Sequence, residues 1–118
     1  MATDTLIDEL LVRGADDWVD AAEVAWLAKS VGKATTDEDV KKVSFDLIRA
    51  VLLAGLMEAG EVAGGGFFAW NISPTDSVNR IEHAWEILGR LPDIGEVCWL
   101  ANTAAGNQRA QRSVARRV

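Results

Sequence analysis

Three consecutive glycines, Gly64-Gly65-Gly66, separate two short β-prone runs, Glu61-Val62-Ala63 and Phe67-Phe68-Ala69-Trp70, in a chain whose other apolar residues recur at helical spacing. A glycine-tipped turn between such runs predicts a β-hairpin. Helical periodicity on both sides of it restricts the chain to a mainly α fold with a small hairpin, an α+β domain of about five helices. Its 118 residues support one domain, and 49% hydrophobic content suffices for a core.

The helical stretches carry their own punctuation. Leu6, Ile7, Leu10 and Leu11 space a first helix over Asp4 to Arg13, with Gly14 as its stop. A second, from about Val19 to Val31, is apolar on nearly all sides and reads as central to the core, with Asp16 and Asp17 before its positive end. Thr35 and Glu38 have capping-box spacing before a third helix, whose stripe Val40, Val43, Leu47 and Val51 can run to Leu56 or Met57. Ser73-Pro74 starts a fourth helix that buries Val78, Ile81, Trp85 and Leu88 and ends at Gly89. Asp93 and Glu96 frame a short fifth helix over Ile94 to Ala101.

Charge is unevenly placed. The chain has 12 Lys and Arg against 18 Asp and Glu, a net of −6. The last ten residues hold Arg109, Arg112, Arg116 and Arg117 and no acid, so residues 1–108 keep 8 bases against 18 acids, a net of −10. The organisation expected is one globular domain over 1–108 and a basic, flexible tail over 109–118. An acidic body repels nucleic acid and attracts basic partners. No apolar run approaches the roughly 20 residues of a membrane span, and the N-terminus lacks a secretory pattern, so a cytoplasmic protein is expected.

A search for catalytic chemistry finds little. His83 is the only histidine and falls on the polar side of the fourth helix, where a solvated role is the simpler reading. Cys98 is the only cysteine and sits in an apolar stretch, which favours a buried thiol and forbids an internal disulfide. No residues form a nucleophile elbow, a phosphate loop or a metal-ligand pattern. A non-enzyme without metal or cofactor is the expectation, and an enzyme built on His83 the least favoured alternative.

The second and third helices, followed by Leu52-Leu53-Ala54-Gly55-Leu56-Met57 and the glycine-tipped hairpin, resemble a winged helix-turn-helix domain over about residues 17–72. The resemblance implies that the third helix would be the recognition helix and residues 61–70 the wing. The chain departs from a DNA reader in its charges. Asp37, Glu38 and Asp39 open the would-be recognition helix, only Lys41, Lys42 and Arg49 oppose them, and the wing tip carries no Lys or Arg.

Two functional expectations follow. The first is an acidic module that masks a basic protein partner, of the immunity or antitoxin type. Its contacts would be Asp16, Asp17, Asp20 and Glu23, the cluster Asp37, Glu38 and Asp39, and the hairpin aromatic Trp70. Among the five Trp, Trp26, Trp85 and Trp99 read as core, and Trp18 as a staple onto the second helix. The alternative is a DNA-binding transcriptional regulator, in keeping with a homodimer, using Lys41, Lys42, Arg49, Arg109, Arg112, Arg116 and Arg117.

Overall fold

The computed structural model describes residues 2–116, and Arg117 of the expected basic tail lies outside them. Five helices and four short strands follow in the order α1 (Ala2–Asp16), β1 (Val19–Asp20), α2 (Ala21–Ser30), α3 (Asp37–Leu53), β2 (Met57–Ala63), β3 (Gly66–Ala69), α4 (Pro74–Leu88), β4 (Trp99–Asn102) and α5 (Ala104–Arg116). The mixed, mainly helical class is the one the sequence leads to, and the hairpin β2–β3 turns at Gly64-Gly65, both with positive φ. Four of the expected helices are found, the first three with shifted ends, and the fifth is displaced along the chain.

The element boundaries follow local chemistry. Asp20 is extended, with φ −100° and ψ 175°, and its side chain accepts from the Glu23 amide. A residue that caps α2 from an extended conformation cannot also be helical, so Val19 and Asp20 form a strand instead of the first turn. The cap of α3 is Thr36, which accepts from the Asp39 amide, not Thr35. This helix ends at Leu53 because Gly55 turns left-handed (φ 71°) and the Leu56 amide donates back to the Val51 carbonyl. Met57 is thereby released to begin β2, short of the helix end expected at Leu56 or Met57. Ser73 caps α4, with Pro74 in its first turn and left-handed Gly89 closing it, as the sequence predicts.

Gly14 does not stop α1. A Cβ there would collide with the Asn102 side chain, so this glycine is a close-packing position inside a continuous helix. Through that gap the Asn102 amide donates 2.8 Å to the Leu11 carbonyl.

The fifth helix expected over residues 94–101 is absent. Asp93 and Glu96 do bond in cap fashion, the Asp93 amide donating 2.8 Å to the Glu96 carboxylate, but they close a single turn. Val97 then takes a positive φ of 72°, which ends any helix, and Trp99–Asn102 continues as β4. The helix lies instead where a flexible tail is expected. Thr103 starts α5 by accepting from the Gly106 amide through its hydroxyl and from the Asn107 amide through its carbonyl. Gly106, Ala110 and Ser113 are buried, and Arg109 donates 2.9 Å to Asp8 of α1.

The sheet is antiparallel throughout, in the order β1-β4-β2-β3. The late strand β4 is inserted between β1 and β2, pairing Leu100 with Val19 on one side and with Ala59 on the other. Val19, Leu100, Ala59 and Met57 belong to the hydrophobic core together with Leu10, Leu11, Leu27, Leu47, Ile48 and Ile81. Alternation sends the neighbouring side chains to the other face. There Trp99, Val62, Ala101 and Phe67 are only half-buried and Glu58 is exposed.

Candidate partner-binding surface

The first carboxylate cluster meets the second half of the chain through the β1–β4 pairing. Asp17, Trp18, Asp20, Ala22 and Glu23 on one side and Ile94 and Trp99 on the other line a groove of about 420 Å³. Its floor is Asp20, which is buried and fully engaged. One carboxylate oxygen accepts from the Glu23 amide at 2.9 Å and the other from the Gly95 amide at 2.8 Å. Asp20 is therefore a structural clamp between α2 and the loop before β4, and not the contact residue the sequence suggests. Glu23 is half-buried and pairs with Arg13 at 2.9 Å. Asp16 and Asp17 are exposed, with the Trp18 amide donating 2.8 Å to Asp17.

The aromatic residues depart furthest from expectation. Trp85 is core, 2% exposed, with the Phe45 ring edge-on at 5.4 Å. Trp26 is 50% exposed instead and carries the Arg13 guanidinium over its ring at 4.6 Å. Trp99, also expected in the core, lies half-buried on the outer face of the sheet and lines the groove. Trp18, half-buried before α2, lines the groove with Ala22 and Glu23 of that helix. It approaches Phe67 of the hairpin, with ring centroids 6.5 Å apart. Trp70 is half-buried beneath Arg80, whose guanidinium sits 3.9 Å above the ring and also bonds Glu61 at 3.4 Å. Its hairpin neighbour Phe68 is the more exposed aromatic, at 61%.

The second cluster, Asp37, Glu38 and Asp39, occupies the exposed first turn of α3, where carboxylates also favour the helix end. The basic residues of the same helix are largely spoken for. Glu86 and Glu38 flank Lys41 at 2.7 and 3.2 Å, and Glu82 meets Arg49 at 2.6 Å. Both Glu82 and Glu86 come from α4, which packs along α3 and supplies negative charge to its outer side. These contacts hold Lys41 and Arg49 above their ordinary pKa, the side-chain bonds to Glu86 and to Glu82 being the main causes. Lys42 is exposed. On α5, Arg109 meets Asp8 at 2.9 Å and Arg116 meets it at 3.6 Å, while Arg112 is exposed.

Two further titratable groups mark structure. The Arg90 guanidinium, aided by the Asp93 amide, holds the Glu96 carboxyl down at about 2. Burial pushes the Cys98 thiol up to about 12, with the Asp20 charge adding to it. His83 is exposed on α4. No group of three or more His, Cys, Asp or Glu among the described residues is arranged to hold a metal ion, and no described helix is long and apolar enough to cross a membrane.

The groove was hidden from sequence reasoning because its two walls are far apart in the chain. The available signal was compositional: five Trp and no Tyr in 118 residues exceeds what this small core absorbs. No family model, curated protein or solved structure matches the chain.

Proposed function

We propose that this chain is a non-enzymatic, acidic protein-binding module that covers a basic surface of a partner protein, in the manner of an immunity or antitoxin protein. One observation carries the reading: most of the described arginines, and Lys41, are paired within the chain while a set of carboxylates is left facing outward. Arg13, Lys41, Arg49, Arg80, Arg90 and Arg109 each lie against a carboxylate of the same chain. Asp16, Asp17, Asp37 and Asp39 are exposed. Outward carboxylates on a net-acidic body steer a basic partner towards it and repel phosphate.

The test has two steps. Tagged protein is used to capture partners from native lysate, with and without nuclease, and association with the recovered partner is then timed. The expected outcome is a basic protein in stoichiometric amount that survives nuclease. Reversal of Asp16 and Asp17 to Lys should slow its association on the order of tenfold at low salt, the loss shrinking as salt screens the field. Unchanged association at low salt would remove that cluster from the interface. Enrichment of DNA in place of protein would sink the reading.

A second reading rests on the order α1-β1-α2-α3-β2-β3, which supports a winged helix-turn-helix arrangement with α3 as recognition helix. As a DNA-binding regulator the chain would depend on Lys42 of α3 and Arg112 of α5, which are exposed, whereas Lys41, Arg49, Arg109 and Arg116 lie against carboxylates. Salt-sensitive duplex binding abolished by Lys42→Ala would favour it. The carboxylates Glu82 and Glu86 beside α3 weigh against it.

A further inference from the structure

We propose that the groove between Trp18, Ile94 and Trp99 receives the guanidinium of an arginine presented by the protein partner. The proposal rests on the masking-module reading and names the chemistry of its contact. The molecule builds the same recognition unit twice from its own residues. Arg13 lies over the Trp26 ring at 4.6 Å and meets the Glu23 carboxylate at 2.9 Å. Arg80 lies over the Trp70 ring at 3.9 Å and meets the Glu61 carboxylate at 3.4 Å. Each unit is an indole face, a guanidinium and a carboxylate.

The groove supplies the first and third of these parts. It presents two indoles, Trp18 and Trp99, and its rim carries the exposed carboxylate of Asp17, Glu23 being already paired with Arg13. The lining itself includes no Lys or Arg. Asp20 adds negative charge at the floor while both its oxygens are held by backbone amides, so the floor keeps its shape without a ligand. Ile94, 84% exposed at the lip, offers apolar contact to the methylene stem of an incoming side chain. A planar, weakly hydrated guanidinium stacks on an indole while bonding a carboxylate in the same plane, which a compact ammonium does less well. Charge and shape together therefore select arginine on a basic protein.

The test reads the five indole N–H signals of the ¹⁵N-labelled full chain by NMR, at low ionic strength. The probes are blocked Gly-Arg-Gly, the same peptide with lysine, the same peptide with neutral citrulline, and octa-arginine. The arginine tripeptide should move the Trp18 and Trp99 signals saturably, with Kd on the order of millimolar, and leave those of Trp26, Trp70 and Trp85 in place. The variants Asp17→Asn and Ile94→Ala, both at exposed positions, should weaken that binding severalfold without changing the rest of the spectrum. Equal shifts from citrulline or lysine would overturn the assignment, as would uniform movement of all five indoles. If octa-arginine binds at the first turn of α3 while Trp18 and Trp99 stay still, the groove is excluded and the masking module stands. If neither arginine probe binds, both readings fall.

Discussion

Asp20 shows how far a residue's apparent role shifts once its surroundings are known. In sequence it is one of four carboxylates around a helix start, and as a surface charge it would contribute little. In the fold it is 5% exposed and accepts from two backbone amides, Glu23 in α2 and Gly95 in the loop before β4. Asp20→Ala removes a helix cap and leaves a second amide, that of Gly95, without its charged acceptor. The expected loss is about 2–4 kcal/mol, seen as a lower denaturant midpoint with an unchanged m-value. A loss below about 0.5 kcal/mol, the range of an ordinary surface substitution, would refute the clamp. Legibility at this scale was good where the signal was a cap or a turn. Ser73, Pro74, Gly89 and the Gly64-Gly65 tip act through backbone conformation within a few residues, and all stand where the sequence puts them. It was poor for tryptophan, since an indole on an apolar stripe fits a core or an open sheet face equally well. Trp85 went one way and Trp99 the other.

Among elements, α5 and β4 exchange the roles their sequences suggest. The arginine-rich end looks solvated because few apolar residues, Ala110, Val114, Ala115 and Val118, interrupt its polar ones, yet small residues let α5 lie close to the body. A Cβ on Gly106 would meet the Leu56 carbonyl, and the Leu11 side chain at 3.3 Å. In an exposed helix Gly→Ala stabilises by up to about 1 kcal/mol. Here Gly106→Ala should destabilise by about 1–3 kcal/mol, because α5 must move off the α3–β2 turn to make room. Thermal and denaturant unfolding give the sign directly, and a stabilised variant would mean that α5 is not docked as described. Its buried residues Gly106, Ala110 and Ser113 do recur at helical spacing, but they are too small to stand out as an apolar stripe. The β4 segment misleads in the opposite direction, because the cap-like spacing of Asp93 and Glu96 is real but serves one turn held by Arg90.

For the molecule as a whole, Cys98 reports on the integrity of the core. It precedes the central strand β4 and is 3% exposed. Its thiol is neutral in the folded state up to about pH 12, whereas an unfolded thiol ionises near 9. The unfolded chain therefore releases this proton first, so the thiol's contribution is intact below pH 9 and declines as pH rises from there towards 12. Stability of the wild type relative to Cys98→Ala should fall over that window, and alkylation of the folded protein at pH 8 should proceed only through opening of the core. Rapid labelling without unfolding would contradict the burial. The charge distribution belongs to the same scale. Composition announces an acidic body, but only packing decides which carboxylates remain outside, since α4 brings Glu82 and Glu86 onto the basic residues of α3.

By itself the sequence determined the α+β class, the helix starts at Ser73 and near Thr36, the glycine-turned hairpin, the buried thiol and the excess of acid. Each follows from interactions within a few residues or from composition, and both are written in the order of the chain. Tertiary structure decided the insertion of β4 between β1 and β2, the docking of α5 and the groove between Trp18 and Trp99. Asp20 and Gly95 are 75 residues apart; their segments are joined by the β1–β4 backbone ladder, which carries no side-chain identity, and by an Asp20 carboxylate that in sequence reads only as a local helix cap. A strand pair or a close helix contact is therefore selected by the fit of the whole core, and the partner surface exists only once that fit is made.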